Sequence, residues 1–137
     1  MASLSWQLYV DCDEVIQLKP LCPDLGGLNL QFRKAVEYVC QGVLNRSLQD
    51  MMLNMVDGCY VILKELEQQT QQYRKLEEPE QQGWNDVIWS EDQIQWRVRM
   101  LGIYNKGLSA MNTNFSRYVY YLDMRSRLIN YLVNRES

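Results

Sequence analysis

The sequence predicts an all-α protein: a helical bundle or long antiparallel helical hairpin of three to four helices, preceded by an extended N-terminal arm. Three observations carry that expectation. Leu101, Leu108, Phe115, Leu122 and Ile129 recur one heptad apart in the last third of the chain. Apolar residues at that spacing form a helical seam that must be buried against another helix. No proline occurs from Glu80 to Ser137, and proline is the residue that breaks helix interiors. Finally, 47% of the 137 residues are apolar, ample for one packed domain in a chain too short for two ordinary ones.

The elements follow in order. Residues 4–10, Leu-Ser-Trp-Gln-Leu-Tyr-Val, alternate apolar and polar, which reads as a short strand or an extended arm. Asp11 to Leu25 mixes acids, Pro20, Pro23 and two cysteines, and Gly26-Gly27 then closes what reads as a loop. The chain thus divides into an arm and loop over 1–27 and a helical bundle over 28–137. A first helix starts near Asn29, an acceptable cap, with Leu28, Phe32, Val36, Val39 and Val43 on one face. Asn45-Arg46-Ser47 ends it, and Ser47 caps the next helix.

That second helix places Leu48, Met52, Met55, Cys59, Ile62, Leu66, Tyr73 and Leu76 at steps of three and four, with Gln69 at the one polar position of the register. Met51, Val56 and Leu63 widen the stripe enough for two neighbours. Glu77 to Trp84, containing Pro79 and Gly83, reads as a hydrophilic loop. Ser90-Glu91-Asp92-Gln93 matches the capping box, in which a serine hydroxyl and a glutamine side chain each satisfy an orphan backbone donor. The heptad then runs straight through Asn112-Thr113-Asn114, residues that favour turns. Unbroken register predicts one helix from Ser90 to about Asn134, roughly 65 Å long. A break at the asparagines would instead give a compact four-helix bundle.

Charge and composition narrow the functional classes. Residues 1–89 carry 7 Lys/Arg against 13 Asp/Glu, a net −6, and residues 90–137 carry 7 against 4, a net +3. A basic C-terminal helix suits an acidic partner or the acidic part of its own chain. With a whole-chain pI near 5.0 and no dense Lys/Arg stripe, nucleic-acid binding is not expected. Histidine is absent, which removes His-based acid–base catalysis, the Ser-His-Asp and Cys-His nucleophile systems and His-containing zinc sites.

Cys12, Cys22, Cys40 and Cys59 form no C-x-x-C pair. Cys40 and Cys59 sit among apolar residues and read as small buried hydrophobes, although an even count also permits two disulfides. Residues 1–10 lack the basic start and apolar run of a signal peptide. No stretch approaches the ~18 apolar residues of a membrane span. An intracellular setting, cytoplasm or nucleus, is expected, with secretion if the cysteines prove disulfide-bonded.

Two resemblances bear on activity. Leu8-Tyr9-Val10-Asp11-Cys12-Asp13-Glu14-Val15, an apolar run followed by Asp-x-Asp, resembles the first motif of haloacid-dehalogenase-type phosphatases. That resemblance implies Asp11 as nucleophile, Asp13 as acid/base and bound Mg²⁺. The family also requires a parallel sheet with further acidic motifs, whereas residues 28–137 read as helices. In length, helix count and the break around Pro79–Trp84, the chain is similar to secreted four-helix cytokines, without a cytokine-specific motif. Asn45-Arg46-Ser47 and Asn114-Phe115-Ser116 match the glycosylation acceptor pattern, a triplet frequent by chance.

The leading expectation is a non-enzymatic protein–protein interaction or assembly module. Trp84, Trp89 and Trp96 supply large apolar area with a polar handle, the side-chain chemistry enriched at binding hot spots. Tyr118, Tyr120, Tyr121 and Tyr131, with Arg117, Arg125 and Arg127, ring the last helix nearly all round. A helix apolar on several faces must be enclosed, by this chain, by a partner or by a second copy. Trp84, Trp89, Trp96, Tyr118 and Tyr121 are the expected partner-binding residues. The expected partners are another protein, a second copy of the chain, or both; no cofactor or metal site is expected.

Overall fold

The computed structural model describes residues 2–42 and 44–136, and is all-helical among them. Helix α1 spans Ala2–Glu14, and a short 3-10 helix covers Ile16–Leu21. Helix α2 spans Cys22–Cys40, α3 Arg46–Arg74, α4 Glu78–Val87 and α5 Glu91–Glu136. The bundle of the sequence reading is present, with five α-helices rather than three to four.

The expected N-terminal arm is a helix. The alternation over 4–10 coincides with a second pattern at helical spacing, and packing selects the second. Ser5, Leu8, Asp11 and Cys12 are buried along one face of α1, while Trp6, on the other, is half exposed. The loop expected through Gly26-Gly27 is also a helix. Pro23 occupies the first turn of α2, where the N–H it lacks would have no intrahelical acceptor. Leu21, Leu25, Leu28 and Phe32 then continue a buried stripe across the two glycines.

Two residues beyond the end of α2, Gly42 has a φ of +68°, the left-handed geometry that closes a helix C-terminus. The next cap is Asn45, not Ser47: the Asn45 side chain accepts the Leu48 N–H at 2.9 Å. Val43, expected on the inner face of α2, lies outside the described residues. Pro79 repeats the lesson of Pro23. It sits in the first turn of α4, where a loop was expected, with Glu78 and Glu80 favouring the positive end of the helix dipole. Ser90 Oγ accepts the Gln93 N–H at 3.5 Å ahead of α5.

Helix α5 runs unbroken through Asn112-Thr113-Asn114 for 46 residues, about 69 Å. Asn112 is tolerated because its amide donates to the backbone carbonyl and the side chain of Gln31 on α2, at 3.0 and 2.9 Å. The first half of α5 is the spine of the body. Along it, Gly27 faces Asn105 and Gln31 meets Asn112, so α2 runs parallel to α5. Gly58 faces Tyr104, Met55 faces Gly107 and Gln69 meets Arg97, so α3 runs antiparallel. Helix α1 closes the body from the side and is tied to α3 by Arg74, which donates to Asp11 at 2.8 Å and reaches Glu14 at 3.5 Å.

The main core gathers Leu8, Leu18, Leu21, Leu25, Leu28, Leu63, Leu66 and Leu101, all fully buried. A smaller cluster of Ala35, Leu44, Met52 and Phe115 closes the end at which α5 leaves the body.

Candidate functional site

The heptad seam is buried for only part of its length. Leu101, Leu108 and Phe115 are enclosed, Leu122 is half-buried and Ile129 is exposed. Every described residue from Asp123 to Glu136 is exposed. Beyond Phe115, then, α5 continues as a projecting rod of about 31 Å, on which Val119 and Leu122 are still half-buried. Tyr118, Tyr120, Tyr121, Met124, Leu128, Ile129, Tyr131 and Leu132 are all exposed on it. Single exposed apolar residues are ordinary, but a contiguous patch of this kind marks an interaction surface.

Four arginines against Asp123 and Glu136 make residues 116–136 basic, and Asp123 pairs with Arg127 at 3.2 Å. Arg125 lies within one helical turn of Leu122 and of Ile129, on the same side of the rod.

The structure separates the expected partner-binding residues into three places. Trp89 is 2% exposed and belongs to the core, so the expectation that it faces a partner is corrected. Its ring lies 4.6 Å from that of Tyr73 at a tilt of 42° and meets the half-buried Trp84 edge-on at 5.7 Å. That aromatic cluster seals the far end of α3 under α4. Trp96 is 48% exposed on the body half of α5, about 33 Å along the helix from Tyr118. Tyr118 and Tyr121, 39% and 60% exposed, stand on the free rod.

A second apolar surface was missed from sequence. Phe32, Ala35, Val36 and Val39 of α2 and Met52, Leu53 and Val56 of α3 line a groove of about 330 Å³. Val36, Val39 and Leu53 are exposed. Val36 and Val39 keep the same 3–4 spacing as Phe32, so the sequence places all of them on the core face. The structure divides that face between core and groove because, among the described residues, no helix covers the outer side of α2 and α3 there.

Between α3 and α5 lies a polar arrangement around Gln69, the polar register position noted in the sequence. Its side-chain oxygen accepts from Trp89 Nε1 at 3.1 Å and from Arg97 at 2.6 Å. Arg97 is buried and 3.6 Å from Glu65. Burial lowers its guanidinium pKa, against the opposing pull of Glu65. Its Nη1 has no hydrogen-bond partner.

All four cysteines are free thiols. Burial, with smaller contributions from Cys22 and Asp11, pushes Cys12 up to about 12. Burial alone does the same for Cys59. Cys40, expected to be buried, is exposed at the end of α2. Asp11 sits inside a helix, accepting from Gln7 at 3.1 Å and from Arg74, and Asp13 is exposed. The described residues contain no strand, so the sheet that the phosphatase-type motif needs is not among them.

Among the described residues, no cluster of three or more His, Cys, Asp or Glu side chains could hold a metal ion, and no helix is long and apolar enough to cross a membrane. No protein-family model, curated protein or solved structure matches the chain.

Proposed function

We propose that this chain is a non-enzymatic interaction or assembly module whose recognition element is the free half of α5. The single observation that carries the reading is the burial profile of that helix. The apolar pattern that packs the body up to Phe115 continues for about five more turns, and every described residue of its outer part, from Asp123 to Glu136, is exposed. In water, that much exposed apolar surface favours association, at roughly 25 cal/mol per Å² removed from solvent.

Tyr121 and Leu128 stand at the centre of the rod and serve as anchors. Tyr118 and Met124 flank them, and the arginines supply a polar rim. This is helix-in-groove recognition, in which side chains three, four and seven residues apart enter a partner's apolar cleft.

The test is photo-crosslinking in the cell of origin, with benzophenone side chains placed singly at Tyr121, at Leu128 and at the exposed control position Glu80 on α4. Protein adducts are expected at the two rod positions and not at the control. Equal, background-level yields at all three would remove the reading. So would a large drop in the thermal midpoint of Tyr121→Ala or Leu128→Ala, because these residues would then be core.

A further inference from the structure

We infer that the occupant of the α2–α3 groove is the free half of α5 from a second copy of this chain, in a reciprocal exchange. The inference rests on the interaction reading above and names the partner. Both apolar surfaces belong to one chain and lie at the same end of it. The groove shares Ala35, Met52 and Val56 with the cluster that holds Phe115, the last buried residue of α5. A two-fold axis beside that end therefore lets each rod run across the other copy's groove. The contact is isologous and closed, and it leaves neither surface free to propagate a filament.

Size supports the pairing. The groove's volume of about 330 Å³ is some twice the ~150 Å³ that holds a benzene-sized guest, which suits two large side chains such as Leu128 and Leu132. Eight of the rod's exposed apolar side chains, 39–67% exposed, offer on the order of 800 Å², comparable with the ~800 Å² per partner of a standard stable interface.

Charge agrees as well. The rod is basic, and exposed Asp50 and Asp57 stand one turn to either side of Leu53 on the α3 rim. Exposed Arg33, on the α2 rim, is available to the rod's Asp123. The rod cannot reach its own groove while α5 is straight. That would require the break at Asn112–Asn114 that the hydrogen bonds to Gln31 oppose.

The experiment is light scattering on the full chain over a range of concentrations, with Leu53→Glu and Val36→Glu in the groove and Leu128→Glu in the rod. All three residues are exposed, and circular dichroism verifies their folding. The expected particle has twice the 16.3 kDa of one chain. Each variant raises the dimer dissociation constant at least tenfold. A mixture of Leu53→Glu and Leu128→Glu chains recovers a mixed dimer, because one intact rod still meets one intact groove.

A dimer broken by Leu128→Glu but indifferent to both groove variants means that rods pair with rods, and overturns the groove assignment. A chain that stays monomeric at millimolar concentration overturns self-docking altogether. In that case adducts at Tyr121 would consist only of foreign protein, and the interaction reading would stand without this one. Loss of those adducts would sink both.

Discussion

Gln69 shows how much one side chain can hold. It is the single polar residue in the register of α3, yet its oxygen accepts from both the Trp89 indole N–H and the Arg97 Nη2. Replacing it by leucine leaves a buried donor without a partner and an arginine with only the 3.6 Å approach of Glu65. Gln69→Leu is therefore expected to destabilise by about 2–4 kcal/mol. Arg97→Met removes the buried charge itself, together with its unpaired Nη1, and keeps an extended side chain in the space. It is expected to be neutral or mildly stabilising. Urea midpoints of the two variants decide the matter: equal losses would mean that Arg97 contributes net stability. Gln69 was visible in the sequence as a break in the pattern. Its partners were not, because they lie 20 and 28 residues away and only folding brings them together.

At the level of the helices, two glycines predict opposite outcomes. Gly27 marks a close approach of α2 to a side chain of α5. A Cβ there would lie 2.5 Å from the Asn105 side-chain nitrogen, with the rest of that amide within 3.0 Å. Gly27→Ala gains about 1 kcal/mol of helix propensity but forces the whole amide aside, and overpacking of this kind costs about 1–3 kcal/mol. A net loss is expected. Gly83, inside α4, has nothing within 4 Å of the same position. Gly83→Ala is expected to gain up to about 1 kcal/mol, because only the propensity term remains. Thermal unfolding separates the two, and a stabilised Gly27→Ala would show that the helices can part without loss.

In the sequence both residues signalled loops. The first-turn prolines at 23 and 79 strengthened that impression, although proline at a helix start is as favourable as proline in its interior is damaging. The long helix α5 was legible because its register never slips.

For the molecule as a whole, the buried thiols tie stability to alkaline pH. An unfolded cysteine titrates near 9.0, whereas Cys12 and Cys59 are held up to about 12 when folded. Between those values the unfolded chain has released protons that the folded chain retains. Stability is therefore unaffected by these thiols below pH 9 and falls as pH rises from 9 toward 12, by up to ~1.4 kcal/mol per pH unit for each thiol. Cys12→Ala and Cys59→Ala are each expected to flatten that decline relative to the unmodified chain. Unchanged slopes in both variants would mean that the thiols reach solvent before the chain unfolds. Exposed Cys40 is expected to react with a thiol reagent at once, and Cys12 and Cys59 only on unfolding.

The sequence by itself determined that the chain is helical, where the long seam runs, and that an aromatic and apolar excess gathers toward the C-terminus. These are properties of spacing along one strand of backbone, and spacing is what a sequence records. Only the tertiary structure decided which part of each stripe is covered. It sent Trp89 inward and Tyr121 outward, split the face of α2 between core and groove, and turned the N-terminal arm into a helix. Burial depends on which segments distant in the chain arrive as neighbours, and α5 outruns its neighbours at Phe115.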